Sequence, residues 1–173
     1  FAEDAKSVYQ ELTKNPQAIL VEDLNKLSGL VVHNDTILMS LGAKSKFTSD
    51  GLVNVATSLA KFVASREISE INLHLTNVHA EKLALSYAEL VEKFLVDFGN
   101  GLYYFDDFKT EKTKLALEKV HVSSDEDLSK ALANAVAILE GYFIVRDLAN
   151  NPSNVATPSY LGEVAESFAK INK

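Results

Sequence analysis

Cysteine is absent from these 173 residues. Its absence removes disulfides, thiolate nucleophiles and Cys-ligated zinc together, and it is compatible with a reducing compartment. Clustered positive charge is absent too. The 17 lysines and arginines are scattered among 24 acidic residues, for a formal net charge of −7. Phosphate contacts need grouped cations, so nucleic acid and anionic membrane surfaces are disfavoured as partners. No apolar run approaches the ~20 residues a membrane-spanning helix needs. The start, Phe1-Ala2-Glu3-Asp4-Ala5-Lys6, lacks a basic segment leading into an apolar one, so no signal peptide is expected. It also lacks an initiator Met, and the chain is expected to be trimmed at both ends. The 7 glycines are dispersed, and neither Gly-x-x-x-x-Gly-Lys-Ser/Thr, Gly-x-Gly-x-x-Gly nor Gly-x-Ser-x-Gly occurs.

What is present suits one ordinary folded domain, with 47% hydrophobic and 24% charged residues. Ala5, Val8, Tyr9 and Leu12 share a helical face over 3–14, and Asn15-Pro16 stops that helix. Residues 17–21 form a short apolar run with strand character. Thr36 to Leu41 is β-rich, nearly continuous in apolar character, and ends at Gly42, as suits a strand covered on both faces. Residues 42–50 read as a loop. Leu52, Val55, Ala56, Leu59, Phe62 and Val63 predict an amphipathic helix over 52–66, capped by Ser49 or Asp50. Ile71, Leu73 and Leu75 alternate with polar residues over 70–76, which predicts a strand with one wet face.

A second helix is expected over 80–98, with Gly99 at its C′ position. Residues 102–105 read as a short aromatic strand, and 115–122 as another. Ser123 and Glu126 have capping-box spacing and predict the start of a long helix to Ala149. Its stripe is Leu128, Ala131, Leu132, Ala135, Ile138, Leu139, Tyr142 and Val145. Thr157 and Pro158 open a last helix as cap and first-turn proline, with Leu161, Val164, Ala165 and Phe168 on one face. Alternating helices and strands, with helices long enough to act as crossovers, predict an α/β fold: a three-layer, mixed sheet flanked by helices.

Chemistry is sparse. His33, His74, His79 and His121 show no metal-site spacing, and His74 and His79 read as polar-face and loop residues. Asp106-Asp107 follows an expected strand, where catalytic carboxylates often sit, but a solvated turn accounts for the pair, with Lys109 and Lys112 as weak partners. Arg146-Asp147 at the end of the long helix fits a cation near unpaired carbonyls together with an ion pair. The residues alone describe an acidic α/β domain of unassigned task.

Four patches resemble the leucyl aminopeptidase family, in order. Thr36-Ile37-Leu38-Met39-Ser40-Leu41-Gly42 is similar to an apolar strand of that family, followed by a helix and a strand. Tyr103-Tyr104-Phe105-Asp106-Asp107-Phe108-Lys109-Thr110 resembles its aromatic segment leading to an aromatic-Lys-Thr. Glu140-Gly141 precedes Arg146-Asp147-Leu148-Ala149-Asn150-Asn151-Pro152-Ser153-Asn154, and Thr157-Pro158-Ser159-Tyr160-Leu161 leads to Val164-Ala165. The last two together resemble the family's Arg-Asp/Glu-Leu-x-Asn-x-Pro-x-Asn and Thr-Pro-x-x-Leu signature. The resemblance covers nearly the whole chain. It departs at Gly162, where the family usually has Ala, and near Met39, which is less glycine-rich.

This resemblance implies a macro-domain-like N-terminal domain over 1–124, a long interdomain helix over 125–150, and the start of a C-terminal catalytic domain over 151–173. Arg146, Asp147, Asn150, Pro152, Asn154, Thr157 and Pro158 would then form the interdomain junction. Their rigid, capped break fixes an angle better than a Gly/Ser linker would. The family implies a cytoplasmic enzyme that removes N-terminal residues, often Leu, from peptides, using two divalent metal ions (Mn or Zn). Its ligands and catalytic residues belong to the C-terminal domain, so no catalytic and no metal-binding residue is assigned here. The implied partners are the chain's own catalytic domain and, for the full-length protein, a homo-hexamer with peptide substrates; this segment alone is expected to be a monomer or weak dimer. Two other readings stand beside it. A stand-alone nucleotide-metabolite binder follows from the macro-like fold, although no Gly-rich loop is present to hold a diphosphate. A DNA-binding role, which some family members add, is opposed by the charge of −7.

Overall fold

The computed structural model describes residues 27–33, 35–75, 78 and 80–171. The helix expected over 3–14, the strand expected over 17–21 and His79 lie outside them. The chain is a mixed α/β structure. Strands β1 (Leu27–His33) and β2 (Thr36–Leu41) form an antiparallel hairpin, with Val31 opposite Leu38 and His33 opposite Thr36. Helix α1 (Ser49–Ala64) leads to β3 (Glu70–His74), and helix α2 (Tyr87–Leu102) crosses over to β4 (Lys119–Ser123). β3 and β4 pair in parallel, Glu70 opposite Lys119 through His74 opposite Ser123. Helices α3 (Ser129–Asn150) and α4 (Pro158–Ile171) follow.

β1 is the element the sequence reading misses. Its apolar residues are diluted by Ser28 and Gly29, but Asn34-Asp35 behind Val31-Val32 is a two-residue hairpin signal. β2 ends as expected at Gly42, whose φ of 72° is open to glycine at little steric cost. The buried Ser40 hydroxyl accepts the Gly42 N–H at 3.0 Å and fixes that exit.

α1 buries Leu52, Val55, Ala56, Leu59, Ala60 and Val63 against Leu90, Val91, Phe94 and Phe98 of α2, with Leu73 and Leu75 closing the core. Burying each large aliphatic side chain contributes about 1.5–3 kcal/mol. The cap of α1 is Thr48 rather than Ser49 or Asp50, because the helix begins earlier: its Oγ1 accepts from Gly51 N–H at 3.2 Å. α2 also departs from expectation. Residues 80–83 make a 3-10 turn, Ala84 sits at φ 54°, and the helix restarts behind a true capping box at Ser86 and Glu89. The Glu89 carboxylate accepts from the Ser86 N–H and from the Ser86 hydroxyl, and these two bonds hold it below its usual range, the backbone one first. The Ser123–Glu126 capping box does not form. β4 runs on to Ser123, whose hydroxyl donates to Asn72 across the strands at 2.9 Å. α3 starts at Ser129 instead, where the Asp127 carboxylate accepts both the N–H and the hydroxyl of Ser129.

Gly99 is not a C′ residue but lies inside α2, which runs to Leu102. A Cβ on Gly99 would stand 2.5 Å from Leu139 of α3, and one on Gly101 would stand 2.7 Å from the Cβ of Ala60 on α1. One turn of α2 is therefore held closely on two sides, and a side chain at either position would force its neighbour to shift. The aromatic strand expected over 102–105 is likewise absent as a strand. Leu102 closes α2, and 103–106 carry no ladder partner among the described residues.

Candidate functional site

The seven junction residues run from the last turns of α3 to the first turn of α4, and the structure gathers three of them around Tyr103, a residue expected in a strand. Tyr103, just past α2, donates its hydroxyl to Asp147 Oδ1 at 2.8 Å and accepts from Asn150 Nδ2 at 3.0 Å. The Arg146 guanidinium lies 3.8 Å from the centre of the Tyr103 ring and donates to the Asn100 carbonyl at 3.2 Å. Phe143 packs its ring on the same tyrosine, 5.4 Å between centroids. Burial and the Asp147 carboxylate push the Tyr103 hydroxyl above its ordinary pKa, so it stays protonated and donates. The end of α2 is thus clasped to the end of α3 by a stacked cation and three polar side chains.

This corrects the role expected for Arg146, whose guanidinium donates to the Asn100 carbonyl near the end of α2. Asp147 likewise receives a tyrosine. Residues 146, 147 and 150 lie at neighbouring positions of one helix surface. Three polar groups converging within an otherwise apolar helix are the sequence signal for a shared partner, and Tyr103 is that partner.

Beyond the clasp the chain turns sharply. The Asp147 carbonyl accepts both the backbone N–H and the side-chain amide of Asn151, ending α3. The Pro152 carbonyl then accepts from Val155 and Ala156, at 2.8 and 2.9 Å. Asn154 sits exposed on that turn. Thr157 Oγ1 accepts the Tyr160 N–H at 3.3 Å, and Pro158 takes the first helical position of α4, where its missing N–H costs nothing. The elbow is therefore built by hydrogen bonds and proline.

The other candidates are structural in their surroundings. Asp106 is buried; its carboxylate accepts the Thr113 N–H, and its carbonyl accepts from Lys109 N–H and Lys112 Nζ. It organises the loop over 106–113, whereas Asp107 is exposed and only 3.8 Å from Lys112. His74 is exposed on β3, and His121 pairs with Glu70 across the parallel strands. Among the described residues no group of three His, Asp or Glu side chains is placed to hold a metal ion. Among them, too, no helix is long and apolar enough to cross a membrane.

No family model matches the chain. A "Probable cytosol aminopeptidase" of Legionella pneumophila (strain Corby) is 30% identical over 135 residues, covering 78% of this chain and 27% of that protein. A mutant of tomato leucine aminopeptidase has the same fold at a TM-score of 0.75 and 18% identity, over 96% of this chain and 35% of that one. The bottromycin maturation enzyme BotP in complex with Mn gives a TM-score of 0.66 at 20% identity, over 85% of this chain and 31% of the enzyme. The chain thus spans roughly a third or less of the proteins it matches. Sequence relatives and fold agree: the chain belongs to the leucyl (cytosol) aminopeptidase family and corresponds to the N-terminal part of its members.

Proposed function

We propose that this chain is the non-catalytic front of a cytoplasmic leucyl aminopeptidase that removes N-terminal residues from peptides. Residues 1–124 are its N-terminal domain, 125–150 its interdomain helix, and 151–173 the opening of its C-terminal catalytic domain. Two divalent metal ions, Mn or Zn, belong to that catalytic domain; when bound, they supply an activated water and polarise the scissile carbonyl. The described residues do not fit such a pair, since Asp106 is tied to its own loop and His121 to Glu70. No step of the hydrolysis is assigned to them. The role left to this part is assembly and regulation, with its own catalytic domain as first partner and a homo-hexamer as the assembled form.

The observation that carries this reading is the elbow. A helix of 22 residues is clasped to the body at its far end, turned by a hydrogen-bonded proline segment, and followed by α4, which buries none of its residues. A rigid exit followed by an apolar helix without a core of its own is what a domain junction requires. Purified chain, supplied with Mn²⁺ or Zn²⁺, should hydrolyse leucine p-nitroanilide no faster than a blank. Turnover above the blank overturns the proposal. In light scattering the chain should be a monomer or weak dimer, and a stable hexamer would contradict that.

A further inference from the structure

A cavity of about 770 Å³ lies between the end of α2, β4, α3 and the segment after Tyr103. Its walls include Phe98, Phe105, Leu132, Val136, Leu139 and Phe143. Leu132 and Val136 are 38% and 56% exposed, so the cavity is open on the α3 side. Its size lies within the ~300–1,000 Å³ typical of small-molecule sites, and its walls match them: mostly apolar and aromatic, with a few polar groups at one end.

Those polar groups share one sign. Asp106, Asp107 and Asp147 line the cavity, and no lysine or arginine does among the described residues. Lys112 stands 3.8 Å from both Asp106 and Asp107 and offsets part of their charge. Asp147 receives the neutral Tyr103 hydroxyl, while the neighbouring Arg146 guanidinium is turned onto the Tyr103 ring and the Asn100 carbonyl. Anionic ligands, phosphates included, meet repulsion here, and Gly99, the one glycine on the lining, is packed under Leu139 rather than free to cradle a phosphate.

We propose that this cavity binds a small apolar molecule carrying one ammonium group, its hydrocarbon part on Phe98, Val136 and Phe143 and its cation against Asp147. The proposal concerns this chain on its own and no reacting group. It is tested on the full chain with three probes of one shape: 4-phenylbutylamine, 4-phenylbutanol and 4-phenylbutanoate. Saturable shifts of the Gly99 and Leu139 amide resonances report binding. The amine should bind about five-fold tighter than the alcohol, the scale of a solvent-exposed ion pair, and the carboxylate weakest. Asp147→Asn keeps an oxygen for Tyr103 and should bring the amine down to the alcohol. Val136→Lys, at an exposed position, should weaken the amine ten-fold or more with the melting temperature unchanged. Equal binding of all three probes, a preference for the carboxylate, no saturable shift, or an amine preference that survives Asp147→Asn would overturn it.

Discussion

Helices α1 and α2 turn their large apolar side chains inward, whereas α3 and α4 leave about half of theirs exposed and bury none of them fully. Leu52, Val63, Leu90 and Val91 are fully buried between the first pair. α3 buries only Ala131 and Ala135 and leaves Tyr142 and Val145 49% and 64% exposed; on α4, Ile171 is 83% exposed. The two pairs are similar in length and apolar content, so composition does not separate them. Burial does: the first pair is its own core, and in the second pair, the arm, α3 is held to it by Ala131 and Ala135 at its start, by Asn134 on Glu92 and Leu139 over Gly99 along its length, and by the Tyr103 clasp at its end. The comparison teaches that a helix can be well formed, capped and apolar without contributing much to the stability of the body that carries it.

Five substitutions sharpen or break the contrast. The largest effect belongs in the body: Leu90→Ala removes a fully buried side chain between α1, α2 and the strands and should cost about 2–5 kcal/mol in denaturant unfolding. Gly101→Ala comes next, because the added methyl meets Ala60 and the Thr57 backbone. A loss of about 1–3 kcal/mol is expected, and Gly99→Ala should lose less, since it meets only the movable end of Leu139. Tyr103→Phe keeps the ring under Arg146 and deletes the hydroxyl. It should cost about 1 kcal/mol or less, with faster amide exchange confined to the last turns of α3. Val145→Ser should leave the chain's stability within about 0.5 kcal/mol, because Val145 is mostly in water. A large loss there would mean the arm has a core of its own.

The legibility of the sequence divides along the same line. The faces of α1 and α2 are readable because their apolar residues recur at helical spacing and nothing competes for them. The edges of elements are less so. Gly99 has the composition of a helix stop, and only the approach of α3, 40 residues later in the chain, shows why glycine continues the helix there. Ser123 and Glu126 have the spacing of a cap, but strand pairing with β3 takes Ser123 first. Tyr103 reads as a strand residue because aromatic neighbours surround it, and its role depends on a helix end that no local pattern links to it. The cap at Thr157-Pro158 is readable because all its parts lie within four residues. The hairpin partner β1 hides behind Ser28 and Gly29. Local chemistry is thus legible in the sequence, while contacts between distant helix ends are not.

The account rests on a self-sufficient body and an arm that lacks its own core, and amide hydrogen exchange on the chain alone tests this most directly. It predicts strong protection in α1 and α2, moderate protection in the first turns of α3 over Ala131 and Ala135, and little in α4. Protection of α4 equal to that of α1 would contradict it, because α4 would then be part of the body and the elbow would lead nowhere.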